Sequence, residues 1–250
     1  MPSKRTKPVV AGLVAKELNG AGASGLSRYH AALTEACAAA PPPYGQAWYG
    51  DRYRSWAVDP SWMAQSLIDN AAKEGEGAQK LWALAGRSRN STIAEAVRRH
   101  AIDEARHARF YIALLQLAFP SLLDRRAFGK LQKLSPGYTT KDFPSRLRAA
   151  NDDSVLDEIV QMNIGEIRTL IHQKLMRPVL TMHCPPDGRP RLTKLLDGLG
   201  GDELKHIEYT ARLIDEAARS KSEFVNSTFR KRVAEFNRIT LNEVGAGTYD

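Results

Sequence analysis

Cysteine is scarce. Cys37 and Cys184 are the two in 250 residues, too few for a disulfide framework. There is no Cys-x-x-Cys pair, so an attached rubredoxin-type iron site is excluded, and a reducing cytoplasm is the expected location. No apolar run reaches the roughly 18 residues that a membrane span needs. The basic start, residues 1–8, leads into no apolar core of the signal-peptide type, so no membrane partner is expected. Acidic residues number 28 against 36 basic ones, for a net charge of +8. The bases are scattered, densest between 219 and 232. The excess reads first as an ordinary basic surface and second as a match for an acidic partner, an electron donor or tRNA. With 43% hydrophobic residues the chain fits one domain with a full core.

What the sequence does have is helical periodicity broken by turn signals. Residues 1–23, basic and then rich in Gly and Ala, read as a flexible start. An Ala-rich helix opens at Ser24 or Ser27 and is stopped by Pro41, Pro42 and Pro43. Residues 44–59, with Tyr44, Trp48, Tyr49, Tyr53 and Trp56, read as irregular packing. Asp59 and Pro60 begin a long helix to about residue 85. Its stripe is Leu67, Ala71, Glu74, Ala78, Leu81 and Ala85. A turn at 86–91, with Asn90 or Ser91 as cap, opens a second helix to about 119. Its stripe is Ile93, Val97, His100, Glu104, His107, Tyr111, Leu114 and Ala118. Residues 120–150 form a basic, turn-rich connection with room for a short helix at 122–134. A third helix, 153–176, ends before Pro178 and carries Val155, Ile159, Met162, Glu166, Leu170 and Gln173. A fourth, 190–219, carries Leu192, Leu196, Leu199, Glu203, His206, Thr210, Leu213 and Ala217. Gly198, Gly200 and Gly201 lie inside it. A last helix is expected at 223–239. The expected organisation is an N-terminal extension (1–59) packed on a helical bundle (60–219), then a C-terminal helix and tail (220–250), one domain overall.

Two segments repeat one pattern: Asp103-Glu104-Ala105-Arg106-His107 and Asp202-Glu203-Leu204-Lys205-His206. Glu and His three apart share one face of a helix. Two such helices, plus one Glu from each of two more, make the dinuclear carboxylate site of a ferritin-like four-helix bundle. The other two Glu are those that interrupt apolar stripes, Glu74 and Glu166. Glu76, the alternative on the first helix, falls with Gln65, Asp69 and Gln79 on a polar face. The candidate metal set is therefore Glu74, Glu104, His107, Glu166, Glu203 and His206. Four carboxylates in a core repel unless cations neutralise them, and two bridged divalent ions do so. Mixed oxygen and nitrogen ligation suits iron, with manganese the second option. Asp103 and Asp202 can each accept from the imidazole of the opposite motif and orient it, with Arg106 and Lys205 balancing their charge. Tyr111, one turn beyond His107, is the candidate redox-active or hydrogen-bonding neighbour, set against a plain core tyrosine. His100, one turn before Glu104, reads first as a core histidine and second as a neighbour of the ligands or an additional ligand, and His30, His172 and His183 have no role.

The doubled motif resembles the Asp-Glu-x-Arg-His pair of bacterial diiron monooxygenase hydroxylases and, more broadly, the ferritin-like diiron oxygenase and oxidase superfamily. It carries Lys205 where the family has Arg. The resemblance covers about residues 60–218. It implies an all-α, ferritin-like bundle and two irons, cycling between ferrous and ferric, at the six residues. It also implies dioxygen activation to hydroxylate, N-oxygenate or oxidatively cleave a small organic substrate. Electrons would come from an external reductase or ferredoxin, and a homodimer is compatible. Relatives include aldehyde-deformylating oxygenases, arylamine N-oxygenases and tRNA hydroxylases, so a tRNA-modifying enzyme is one alternative. Ferritin- or rubrerythrin-like handling of iron or peroxide is the other.

Overall fold

The computed structural model describes residues 8–122 and 124–248. Among them are nine α-helices and no strand: α1 Val9–Gly20, α2 Ser27–Ala39, α3 Ala47–Ala57, α4 Pro60–Arg87, α5 Ser91–Ala118, α6 Arg125–Leu131, α7 Asp152–His183, α8 Arg189–Ala217 and α9 Ser222–Ala246. The chain is thus all-α, as its periodicity predicts. None of these helices is long and apolar enough to cross a membrane. The start at 1–7, read as flexible, lies outside the described residues, as does Leu123 of the short helix expected at 122–134. The chain divides into two compact units, with dividing points inside α3, α7 and α8.

One unit comprises Arg52–Val155, Gln173–Asp202 and Thr248. Its frame is the pair α4 and α5. Asp59 caps α4 by accepting from Ser61 N (2.8 Å), and Asn90 caps α5 by accepting from Thr92 N and Ile93 N (2.9 and 3.1 Å). All six members of the α4 stripe are buried, Glu74 included. The α5 stripe is buried from Val97 to Ala118. The connection 132–150 lies along this pair as a strap. Ser135 Oγ donates to Ala105 O (2.6 Å). Leu147 N and Ala150 N donate to Gly86 O and Arg87 O. Gly75 permits the close approach: a Cβ there would stand 2.0 Å from Leu134 O. Backbone cannot yield as a flexible side chain can, so Gly75→Ala is expected to cost about 1–3 kcal/mol. Gly129→Ala, in α6 with nothing within 4 Å of its Cβ, should gain about 0.5–1 kcal/mol from helix propensity. Urea unfolding of the two variants checks the contrast, and equal effects would refute the account of Gly75.

The other unit comprises residues up to Asp51, with Leu156–His172 and Glu203–Gly247. Here α1 buries Val10, Ala11, Val14 and Leu18. α2 buries Tyr29, Leu33 and Cys37, and Tyr29 meets Phe229 of α9 edge-on, ring centroids 5.9 Å apart. No side chain of its own caps α2. Asp215 of α8 accepts from Arg28 N (2.8 Å) and Tyr29 N (2.9 Å) instead.

Several expectations are corrected. Within the start read as flexible, residues 9–20 are helical, because Val10, Val14 and Leu18, four apart, form a face that is buried. The stretch read as irregular contains α3, whose Tyr49, Tyr53 and Ala57 repeat every four residues and are all buried. α7 does not stop before Pro178. The ring costs a hydrogen bond to the carbonyl of Lys174, yet burial of Met176, Val179 and Leu180 holds the helix to His183. α9 runs on to Ala246 and closes at Gly247, whose φ of 81° is left-handed. At the far end of α8, Ile214 and Ala218 are buried while Leu213 and Ala217 are half-buried, because the face drifts from the strict stripe.

Candidate metal centre

In the α4–α5 unit, Glu74, Glu104 and His107 come together below the surface. The apolar members of each stripe bury the helix face, and these polar residues go with it. His107 is fully buried. Its Nδ1 lies 3.3 Å from Glu104 Oε1 and 3.9 Å from Glu74 Oε2. Glu74 is 8% exposed, whereas the Glu76 side chain is 70% exposed and faces Lys80 at 3.9 Å. Of the two alternatives for α4, Glu74 is the one inside. Burial pushes the Glu104 carboxyl up. The contacts with Glu74, His100 and His107 outweigh it, and the group is held well below the usual carboxylate range.

The other ring nitrogen of His107, Nε2, faces Asp202 Oδ2 at 3.5 Å. Arg106 donates to that same oxygen (2.7 Å) and also pairs with Asp103 Oδ1 (2.6 Å). The carboxylate favours the proton on Nε2 and leaves Nδ1 bare toward the two Glu. Asp202→Asn is therefore expected to lower metal affinity about 10–100-fold with helicity unchanged. Competition against a colorimetric chelator reads this, and unaltered affinity would remove the orienting role.

In the other unit, Glu166, Glu203 and His206 come together. Glu203 is fully buried. His206 Nδ1 lies 3.7 Å from Glu203 Oε2 and 3.8 Å from Glu166 Oε2. A buried network fixes this trio. Thr210 Oγ1 donates to His206 O (2.6 Å), Asn163 Nδ2 donates to Thr210 Oγ1 (2.9 Å), and Tyr29 OH donates to Asn163 Oδ1 (3.0 Å). Asn163 stands one turn before Glu166, so the network sets the α7 carboxylate against the α8 imidazole.

Both clusters put an imidazole Nδ1 between two carboxylate oxygens. Donors each about 2.1 Å from one ion stand roughly 3–4 Å apart, and the spacings of 3.3–3.9 Å fit that. Glu74, His100, Glu104, His107, Glu166, Glu203 and His206 all belong to buried groups of His and Glu that could hold a metal ion.

The remaining candidates fall as follows. Tyr111 is buried on α5, one turn past His107. Asp103 pairs with Arg106, its neighbour on the helix. His100, read first as a core histidine and next as a neighbour of the ligands or an additional ligand, is buried, and its Nε2 lies 3.3 Å from Glu104 Oε1. The i,i+4 spacing to Glu104 was the signal for this. Asn163 and Thr210 carried no such signal. His172, given no role, is buried and accepts from or donates to Tyr49 OH across a stacked pair, centroids 5.6 Å apart.

No protein-family model, no curated protein and no solved structure matches this chain.

Proposed function

We propose that the chain is a non-haem diiron oxidoreductase of ferritin-like build that activates dioxygen to oxidise a small organic molecule. In this reading α4, α5, α7 and α8 are the bundle. Glu74, Glu104, His107, Glu166, Glu203 and His206 hold two irons, each site having open positions. The observation that carries the reading is the repeated cluster: in each unit, one imidazole Nδ1 lies 3.3–3.9 Å from two buried carboxylates. Two copies of one Glu-Glu-His set make the donor complement of a dinuclear centre. Their negative charge, removed from water, calls for cations.

A bound iron pair would supply the one-electron steps by which dioxygen is reduced. The chain's own residues do the rest. Asp202, held by Arg106, orients His107 through Nε2 and turns Nδ1 toward Glu74 and Glu104. Thr210 and Asn163 hold His206. Ala101, Ala105 and Ala108, all without exposure, keep bulk water from the α5 donors. For oxygen insertion, one oxygen atom enters the substrate and the other leaves as water. That consumes two protons and two electrons, which an external reductase or ferredoxin supplies.

The test is reconstitution with ferrous iron without oxygen, then mixing with dioxygen and reductant. About two irons per chain and dioxygen uptake well above that of free iron are expected. Iron content that is the same in Glu104→Ala and wild type, with no uptake above background, would contradict the reading.

A further inference from the structure

The strap between α5 and α7 carries charge that the rest of the molecule does not answer. Between 124 and 148 there are seven exposed bases against two acids. Both acids are engaged locally. Asp124 caps α6 by accepting from Ala127 N (2.7 Å), and Asp142 accepts from Thr139 N and Oγ1 (2.8 and 2.7 Å). None of the seven bases has an ion-pair partner among the described residues, whereas Arg99, Arg106, Arg212 and Arg230 elsewhere are all paired. Among these bases lie the exposed apolar side chains Phe143 at 71% and Leu147 at 49%.

The strap is held, not loose. Arg98 donates to Asp142 O (3.0 Å) and lies over the Phe143 ring at 4.6 Å. Glu95 fixes Arg98 through Nε (2.8 Å), and the hydrogen bonds from Arg98 and then Arg99 pull the Glu95 carboxyl down to about 2. Tyr138 stacks on Trp82 of α4 at 4.1 Å. Where it crosses the two helices, the strap touches the residues next to the ligands. Leu134 O abuts Gly75, beside Glu74, and Ser135 bonds Ala105 O, beside Glu104.

We infer that the strap is a docking surface for an acidic electron-transfer protein, the external donor that the diiron reading requires, and the inference rests on that reading. Unpaired bases around aliphatic and aromatic contacts match an acidic protein rim with an apolar centre. Exposed leucines add nothing to a nucleic-acid surface. Bound there, a donor sits one hydrogen bond and one peptide from Glu104.

The probe is a purified acidic [2Fe–2S] ferredoxin, its binding to the full chain measured at several salt concentrations. Bulk tRNA and phosphatidylglycerol vesicles are run beside it. One variant reverses strap charges: Arg125→Glu, Lys133→Glu, Lys141→Glu and Arg146→Glu. A control reverses four exposed bases elsewhere: Lys16→Glu, Arg191→Glu, Lys194→Glu and Lys231→Glu. The inference predicts salt-sensitive ferredoxin binding that weakens at least about tenfold in the strap variant and changes little in the control. Carbodiimide cross-linking of the wild type, independent of how the variants fold, should join ferredoxin carboxylates to Lys130, Lys133 or Lys141. Absent binding, equal loss in both variants, cross-links only elsewhere, or tighter strap-dependent binding of tRNA or vesicles overturns the inference. Metal content, measured on the same samples, separates the two claims. Two irons without ferredoxin binding removes the docking surface alone; ferredoxin binding without metal removes the diiron reading.

Discussion

Glu104→Ala is expected to cut bound iron from about two ions per chain to about one, the largest single-residue effect on the candidate centre. Glu104 holds more of the α4–α5 cluster than any other side chain there. His100 Nε2 and His107 Nδ1 both lie 3.3 Å from its Oε1. Alanine removes the carboxylate that both imidazoles face, and with it the hold on an ion at that end. Alanine is also the best helix former, so circular dichroism should show α5 intact. Inductively coupled plasma mass spectrometry of the purified variant gives the stoichiometry. Iron at the wild-type level in a folded Glu104→Ala protein would remove Glu104 from the ligands.

The second large effect is on stability, and its sign depends on the metal. A metal that binds the folded chain alone stabilises it by about 4 kcal/mol when free metal is a thousandfold above its dissociation constant. For a chain of this length that is a rise in Tm of roughly 10 °C. Without metal the same residues are a burden. Glu203 has no exposure and His206 Nδ1 is 3.7 Å away, so folding strips water from a carboxylate set beside an imidazole. Glu203→Gln keeps the shape and drops the charge. It should raise the stability of chelator-treated protein by about 1–3 kcal/mol while abolishing most of the metal-induced rise. Thermal melts with chelator and with ferrous iron, for both proteins, give the four values. A Glu203→Gln protein that is less stable without metal, and equally stabilised by it, would contradict this account.

The parts of the fold that could be read from sequence were those governed by local chemistry and one-sided burial. Asp59 and Asn90 cap as their side chains dictate, and the stripes of α4 and α5 mark the buried faces because a 3.6-residue period leaves little choice. The same period separated Glu74 from Glu76. Where several weak signals competed, the reading failed. Val10, Val14 and Leu18 were diluted by Gly and Ala, and the four-residue repeat of Tyr49, Tyr53 and Ala57 was masked by aromatics that are poor helix formers. Pro178 was a reliable local stop overridden by burial around it. Asp215 capping α2 joins residues 187 apart in sequence, and Thr210, Asn163 and Tyr29 meet across three helices; no local pattern announces such contacts. His100 differs, since its spacing to Glu104 was visible and only its weight was misjudged.

The central claim is that six side chains hold two ions. A crystal grown without oxygen in ferrous iron, with diffraction recorded on both sides of the iron absorption edge, tests it most directly. The account predicts two anomalous peaks about 3.5–4 Å apart, one bonded to His107 Nδ1 and one to His206 Nδ1, with Glu74, Glu104, Glu166 and Glu203 supplying the oxygens. Peaks at neither histidine, from protein saturated with iron, would contradict it.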